Sequence, residues 1–310
     1  MNIDSQRGDF NDKVVLVTGA GMGLGRNHAR FFAKLGARVL VNDLGGSRNG
    51  EGASQQAADS VVAEIMADGG TALANYDSVV DGHRLVEQAM DEWGAVHVVV
   101  NNAGIIRDSS FHKLSDRDWH EVYQTNFEGS YRVTRAAWPH LRDQSYGRVI
   151  FTASAAGIYG NFGQSNYGAT KLGLHGLTKS LSVEGASRNI NVNTIAPMLD
   201  SRMMQGHMPD EIRQRLQPGH VSPLVAYLCH QDCAESGSLF EVGGGWYAKV
   251  RWQRSSGALI PDIDSIDETA AVAEVAANWQ AINDFAEAEA PASIEEAGGS
   301  MLRRVMALGA

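Results

Sequence analysis

Short β-branched runs alternate along the chain with amphipathic stretches of helical length. Val14–Val17, Val39–Val41, Val96–Val100, Val149–Phe151 and Ile190–Thr194 are apolar at successive positions. That is the pattern of strands covered on both faces rather than one. Between them, Arg26–Leu35, Ala53–Ala67, Leu85–Trp93, Trp119–Leu141 and Tyr167–Ser187 read as helices. Strand–helix alternation predicts an α/β fold of Rossmann type, a doubly wound parallel sheet with right-handed crossovers. No internal repeat or low-complexity block interrupts it. Past about Tyr247 the pattern changes to a polar stretch, then an Ala/Glu-rich helix containing Trp279, Ile282 and Phe285. The expected organisation is one sheet domain over residues 1–247 and a helical C-terminal extension over residues 248–310. The extension is expected to pack on the core or on a dimer partner.

Composition narrows the choice of partner. At 44% hydrophobic and 20% charged residues over 310 positions, the chain is globular rather than disordered. Its 26 basic and 36 acidic residues leave a formal charge of −10, which disfavours nucleic acid and anionic lipid surfaces. No apolar run approaches the ~18 residues of a membrane span, and the segment Met1–Lys13 lacks the apolar stretch of a secretory leader. The final Leu308-Gly309-Ala310 is not a peroxisomal address. With two cysteines, a cytoplasmic setting is expected rather than an oxidising one. The run Cys229-His230-Gln231-Asp232-Cys233 is rich in ligand atoms, but its spacing fits a helical turn packed on the core, and no metal is expected.

The composition holds 34 glycines and only seven prolines, and the glycines collect where the chemistry should be. Thr18-Gly19-Ala20-Gly21-Met22-Gly23-Leu24-Gly25 follows the first strand and opens the first helix. It departs from G-x-G-x-x-G but satisfies T-G-x-x-x-G-x-G. Glycine there lets backbone approach a pyrophosphate, and the helix start presents unpaired N–H groups. Gly19 would make the turn, Gly23 the close approach, and Gly25 the helix–strand contact. Asp43 closes the second strand, where a carboxylate accepts hydrogen bonds from ribose hydroxyls and repels a 2′-phosphate. No basic residue lies within Ala20–Leu24 to reward that phosphate, so the cofactor expected is NAD; Arg48 is the one residue that softens the preference. Asp77 and Ser78, after a third strand, would flank the adenine. Asn102-Ala103-Gly104 would line the middle of the dinucleotide.

Ser154, Tyr167 and Lys171 form the pattern Ser-x12-Tyr-x3-Lys. Residues four apart on a helix share a face, so Lys171 lies one turn from Tyr167. A phenol with pKa ~10 is a poor base at neutral pH, and each pH unit of lowering requires ~1.4 kcal/mol. A neighbouring ammonium and a positively charged nicotinamide would bring it down by ~2–3 pH units. Ser154 would hold the substrate oxygen, and Lys171 would also reach the nicotinamide ribose. Asn126 would anchor a water joining Lys171 to solvent. Tyr159 and Ser165 are set aside, since Tyr159 has no lysine four residues on.

These residues resemble the short-chain dehydrogenase/reductase superfamily from Val14 to about Gly245. Within it the chain is similar to the (3R)-hydroxyacyl-CoA dehydrogenase part of peroxisomal multifunctional enzyme type 2. The resemblance rests on Val41-Asn42-Asp43-Leu44-Gly45-Gly46, Asn75-Tyr76-Asp77-Ser78-Val79, Thr134-Arg135-Ala136-Ala137-Trp138 and the run from Gly157 to Gln164. Leu239-Phe240-Glu241-Val242-Gly243, Gly245-Trp246, Arg251-Trp252 and Ala277-Asn278-Trp279 extend it through the tail. It implies NAD-dependent oxidation of a 3-hydroxyacyl thioester, fatty-acyl or steroid side-chain, by a homodimer built on Trp119–Leu141 and Tyr167–Ser187. The longer members of that family add a hydratase and a sterol-carrier region, so a bacterial, cytoplasmic single-function version is the expectation. Pro197 would flank the nicotinamide. The segment after it, Met198-Leu199-Asp200-Ser201-Arg202, departs from the small residues usual there, which opens the acyl group to variation. An anionic coenzyme A would need a basic rim, for which Arg107, Lys113, Arg202, Arg213, Arg215, Lys249 and Arg251 are candidates. A hydroxysteroid or other secondary-alcohol dehydrogenase is the rival enzyme reading. A cofactor-binding scaffold without catalysis is the rival from another class.

Overall fold

The computed structural model describes residues 10–47, 49–199, 209–261 and 263–306, without the side chains of Ile212, Arg213 and Asp264. Residues 1–9, Arg48, Asp200, Ser201, Arg202 and Leu308-Gly309-Ala310 lie outside the described residues. Each apolar run became a strand with both faces covered. β1 (Val14–Thr18), β2 (Arg38–Asn42), β3 (Thr71–Asn75), β4 (Val98–Asn101), β5 (Gly147–Thr152) and β6 (Ile190–Pro197) pair in parallel. β7 (Leu239–Gly243) adds in parallel to β6, and β8 (Trp246–Val250) completes the order 3-2-1-4-5-6-7-8. β7 is buried at both ends but interrupted by the polar Glu241, and β8 is half-exposed along its length, so neither shows the unbroken apolar run that marks the others. Gly244 and Gly245 join them with φ of +61° and +85°, a tight turn open to glycine.

Alternating side chains divide the core into two layers. Val15, Val17, Val39 and Val41 face α1 (Gly23–Lys34) and α2 (Gln56–Ala67), with Val221, Val225 and Leu228 completing that layer. Val14, Leu16, Leu40 and Val99 face the other side, with Leu85 and Val86 of α3 (Gly82–Trp93). The helix expected over Trp119–Leu141 is interrupted. α4 (Asp116–Tyr123) starts earlier, because Ser115 accepts the Asp118 N–H at 3.1 Å and caps it. A wide π-turn over Gln124–Glu128 then separates it from α5 (Gly129–Asp143). Further on lie α6 (Ala155–Tyr159), α7 (Ser165–Gly185), α8 (Asp210–Arg213) and α9 (Ser222–Cys229).

At the amino-terminal ends of the central strands, Arg148 is 1% exposed and its hydrogen-bond acceptors are all carbonyl or amide oxygens. It donates to the carbonyls of Gly147 and Asn189 at 2.8 Å and of Gln231 at 3.2 Å, and stacks 4.5 Å from the Tyr146 ring. One buried cation thus welds β5 to the end of α9. The Cys229–Cys233 run is not a helical turn: α9 ends at Cys229 and His230 is extended. Both thiols are buried, and burial pushes the Cys229 thiol up, away from the thiolate. Among the described residues no cluster of three or more metal-ligating side chains occurs, and no helix is long and apolar enough to cross a membrane.

Chain contacts separate Met1–Lys249 from Val250–Ala310. Within the second unit the expected single helix is divided at Asn278 into α10 (Glu268–Ala277) and α11 (Trp279–Ile282), with Phe285 beyond it, and α12 (Ile294–Met306) follows. Ser300 is the one buried residue of these three helices. A polar hub holds the unit: Glu289 accepts from Ser300 at 2.6 Å and pairs with Arg304 and Arg254 at 2.8 Å. Those hydrogen bonds, Ser300 foremost, hold its carboxyl down at about 2.

Three histidines are held uncharged by the fold, among them His175, which lies 3.4 Å from Thr194 Oγ1 and is lowered to about 4 by burial and by Lys179. His28 contacts Ser222 at 2.9 Å in the α1–α9 seam, and burial lowers its pKa to about 3. His97 accepts the Val14 N–H at 3.0 Å, and burial, reinforced by Lys13 and Arg38, lowers it to about 4. The unfolded chain takes up these protons near the ordinary 6.5, before the folded one does, so their contribution is present above that pH and lost below it. The melting temperature is therefore expected to be level above about pH 7 and to fall steadily toward pH 4. In His28→Gln that fall should be shallower; an unchanged slope in calorimetry would remove His28 from the account.

Candidate active site

The crossovers reverse at β1 and β4, and the carboxyl ends of the strands open there into a cleft of about 1140 Å³. Gly19, Gly23, Leu24, Asp43, Asp77, Ser78, Asn102, Ala103, Gly104, Ser154, Tyr167, Lys171 and Pro197 all line it. Gly25 and Asn126, the other two expected site residues, stand behind that lining. Sequence positions 19 to 197 thus converge on one cavity.

The glycine turn is built by contacts that admit no side chain. Gly19 has φ +62°, and a Cβ there would lie 2.8 Å from Ala103 Cα. A Cβ on Gly25 would strike the Gly19 carbonyl and come within 2.6 Å of Asn102 Nδ2. Gly23, by contrast, has φ +54° and open space around it. The first turn of α1 carries no acidic residue, and its N-cap Met22 makes no side-chain hydrogen bond. These N–H groups, at the positive end of the helix, suit an anion such as a pyrophosphate.

Asp43 is held from both sides by backbone: Gly21 N–H donates to Oδ2 and Gly45 N–H to Oδ1, each at 2.7 Å. A carboxylate has lone pairs for about four donors, so two acceptor positions remain for hydroxyls. Asp77 accepts from Asn75 Nδ2 at 2.9 Å and faces Arg84 at 3.4 Å, while Ser78 caps the short turn Val79–Asp81. Two strand ends are cross-tied beside them. Asn102 Nδ2 donates to the Thr18 and Gly19 carbonyls at 3.0 Å. Thr18 Oγ1 accepts from the N–H groups of Asn102 and Ala103 at 3.1 Å. Thr18 is 1% exposed, and its place as the threonine of T-G-x-x-x-G-x-G was the available signal.

On the other side of the cleft, Ser154 leaves β5 in an extended conformation and caps α6, accepting the Ala156 N–H at 3.2 Å. α6 can lie against α7 because both contribute glycine: a Cβ on Gly157 would be 2.8 Å from the Leu172 nitrogen, and one on Gly168 2.9 Å from the Ala156 carbonyl. That approach brings Ser154 into the same cleft as Tyr167 and Lys171. Lys171 Nζ stands 5.6 Å from the Tyr167 ring centre and donates to the Thr152 carbonyl at 2.7 Å. It is 3% exposed, and burial lowers its pKa to about 8. Asn126 sits in the π-turn, its amide paired both ways with the Ile105 backbone at 2.7 and 3.0 Å. Its own carbonyl accepts from Ser130 at 2.9 Å. A Cβ on Gly104 would be 3.2 Å from Asn126 Oδ1 and 3.4 Å from Lys171 Nζ, so both groups press on that one glycine.

Several lining or supporting groups had no role from sequence. Tyr159, set aside as a base, enters the cleft from α6 and donates to Glu241 at 2.8 Å. Gln164 donates to Asp108 at 3.1 Å and Asn166 to the Arg107 carbonyl at 3.1 Å, which fastens the start of α7 to the 105–110 loop. Arg107 is not a free rim cation; it pairs with Glu121 at 2.7 Å and Glu51 at 3.5 Å. Lys249 pairs with Glu235 at 2.8 Å. Arg202 and the Arg213 side chain fall outside the described residues, and Arg251 belongs to the Val250–Ala310 unit. Lys113 and Arg215 alone of the seven sit in the first unit without an ion pair among the described residues. Long-range pairing is not visible in local sequence.

Comparison with known proteins agrees with this architecture. A family model described as short chain dehydrogenase matches residues 13–212. The chain is 51% identical over 297 residues to peroxisomal multifunctional enzyme A of Dictyostelium discoideum, covering 96% of this chain and 66% of that one. It is 50% identical over 281 residues to a short-chain type dehydrogenase/reductase of Mycobacterium tuberculosis, covering 90% and 96% respectively. The full-length peroxisomal multifunctional enzyme type 2 of Drosophila melanogaster superposes with a TM-score of 0.82 at 40% identity, over 96% of this chain and 50% of that one. The chain therefore spans two thirds or less of the length of these multifunctional relatives.

Replacing Thr18 by valine keeps the volume but removes the acceptor for two buried N–H groups. Thr18→Val should lower unfolding free energy by about 1–3 kcal/mol in urea titration. It should also weaken dinucleotide binding, measured by calorimetry; a variant as stable as the parent would show the cross-tie to be dispensable.

Proposed function

The chain belongs to the short-chain dehydrogenase family, and from that premise we propose that it oxidises a (3R)-3-hydroxyacyl-CoA to the 3-ketoacyl-CoA with NAD. The observation that carries this reading is the single cleft joining an uncapped helix start and Asp43 to Ser154, Tyr167 and Lys171. The choice of a thioester rests on the resemblance of the sequence, tail included, to the dehydrogenase region of multifunctional enzymes. The acyl group, fatty or steroid side-chain, stays open in this proposal.

In the proposed mechanism Gly23 and the first turn of α1 hold the pyrophosphate, while Asp43 accepts from the adenosine ribose. Its fixed negative charge disfavours a 2′-phosphate at the same place. Asp77 and Ser78 flank the adenine, Asn102 to Gly104 line the middle, and Pro197 borders the nicotinamide. When bound, NAD supplies the hydride acceptor. Ser154 Oγ hydrogen-bonds the carbinol oxygen, and the Tyr167 phenolate takes its proton. Lys171, charged and with a neutral carbonyl as its protein partner, stabilises that phenolate and reaches the nicotinamide ribose. Asn126, beside Lys171 at Gly104, anchors the water that returns the proton to solvent. Alignment of these groups, rather than any covalent intermediate, lowers the barrier. A homodimer is part of the proposal: Tyr123, Tyr131, Leu172 and Val183 leave apolar surface exposed on α4, α5 and α7.

Absorbance at the NADH band with resolved 3-hydroxyacyl-CoA enantiomers tests the reading directly. Signal with the 3R thioester alone is expected; signal only with a free hydroxysteroid would replace the thioester reading by the secondary-alcohol one. Tyr167→Phe should abolish turnover while NAD binding, followed by fluorescence quenching, persists. NAD should be preferred over NADP by orders of magnitude, a preference that Asp43→Ala narrows. Equal use of both cofactors by the parent enzyme would refute the role of Asp43.

A further inference from the structure

Glu241 is a carboxylate in the cleft that the mechanism above leaves without a task. It lies on β7 between Phe240 and Val242, which pack in the layer beneath α1 and α9. Side chains alternate along a strand, so Glu241 points to the opposite face, where α6 and α7 present Tyr159 and Tyr167. Its place relative to the chemistry follows from the sheet register. Glu241 is paired with Ala196 on β6, and Thr152 of β5 with the preceding Ile195. Two strand spacings, about 10 Å, therefore separate Glu241 from Ala153, the residue before Ser154. Its carboxylate is held at the cleft by Tyr159, whose OH donates to Oε2 at 2.8 Å. The accepting carboxylate pushes the Tyr159 phenol above its ordinary range, so the phenol stays a donor and the pair carries one net negative charge. Among the described residues Glu241 makes no ion pair: Lys171 is engaged on the Thr152 carbonyl and Arg107 on Glu121, while Arg215, whose backbone lies near Gly244, is the basic residue nearest along the β7 end.

We propose that Glu241, held by Tyr159, determines specificity by charge: it excludes free 3-hydroxy acids and admits the same acyl group as a neutral thioester. The proposal deepens the function assigned above and rests on its thioester reading. A free 3-hydroxy acid carries its carboxylate two carbons from the reacting carbinol, which brings it toward Glu241 when the hydroxyl reaches Ser154. Two like charges within about 10 Å, at the effective dielectric of about 20 usual near a protein surface, repel strongly enough for about tenfold discrimination. A thioester carbonyl at the same position is neutral and meets no such penalty. The amide N–H groups along a pantetheine arm also give the spare lone pairs of Glu241 suitable donors.

The test compares kcat/KM for a (3R)-3-hydroxy acid and for its N-acetylcysteamine thioester of equal chain length, which removes the coenzyme phosphates. In Glu241→Gln the acid-to-thioester ratio should rise at least tenfold over the parent. In Tyr159→Phe, where the charge remains and the bridge is lost, it should not rise. Added salt should narrow the parent's preference and leave that of Glu241→Gln unchanged. An unchanged ratio in Glu241→Gln, or an equal rise in Tyr159→Phe, overturns the charge mechanism. If the parent turns over no thioester, the functional reading fails separately. A neutral secondary alcohol of the same length then replaces the thioester, and the same tenfold criterion applies to Glu241.

Discussion

Where β1 and β4 run side by side, their following segments leave toward opposite faces of the sheet, and the gap between them must be closed without being filled. Two close contacts solve this. Gly25 lies against the Gly19 carbonyl, where no Cβ fits, and Thr18 and Asn102 lace the two strand ends together through four hydrogen bonds. The α1 start is thereby pinned over the sheet with its N–H groups directed into the cleft. Everything placed later along the chain, from Asp43 to Pro197, meets a cavity whose shape this seam has set. The rest of the sheet could change in many details without closing that gap; the seam could not.

The same cleft distributes charge in a way that assigns different tasks to its two ends. Lys171 is buried without a carboxylate and is held by a backbone carbonyl, so its charge remains for a phenolate or a ribose rather than for an ion pair. Asp43 is anchored by two backbone amides, which fix the carboxylate without neutralising it. Glu241 is held by a neutral hydroxyl, with the same consequence. In all three cases the partner is uncharged. A charged partner would have stabilised each group locally and silenced it for a ligand. Arg107 illustrates the opposite case: placed near the cleft, it is consumed by Glu121 and Glu51 and serves the loop that supports α7.

The glycine turn, the acid at the end of β2 and the Ser-x12-Tyr-x3-Lys pattern were legible because each is a short-range rule. Backbone approach demands glycine at set intervals, and a helical turn brings residues four apart together. The central strands were legible because burial on both faces leaves an unbroken apolar run. β7 and β8 were not, since Glu241 breaks the apolar run of the first and the half-exposed second mixes polar and apolar residues. The π-turn around Asn126 escaped for a related reason: helical periodicity persists through it, and one widened turn leaves no compositional mark. Tyr159 has no lysine four residues on, and the partner it does have lies 82 positions away on another strand, beyond any local pattern.

Sequence alone therefore determined the class of fold, the order of its central strands and which residues are candidates for the reactive groups. Those properties depend on backbone sterics, periodicity and the intrinsic chemistry of side chains, all of which act over a few positions. Tertiary structure alone decided which charges stay available and which are spent. Availability depends on what stands within about 3 Å after folding, and the neighbours of Lys171, Asp43, Arg107 and Glu241 come from 2 to 82 positions away.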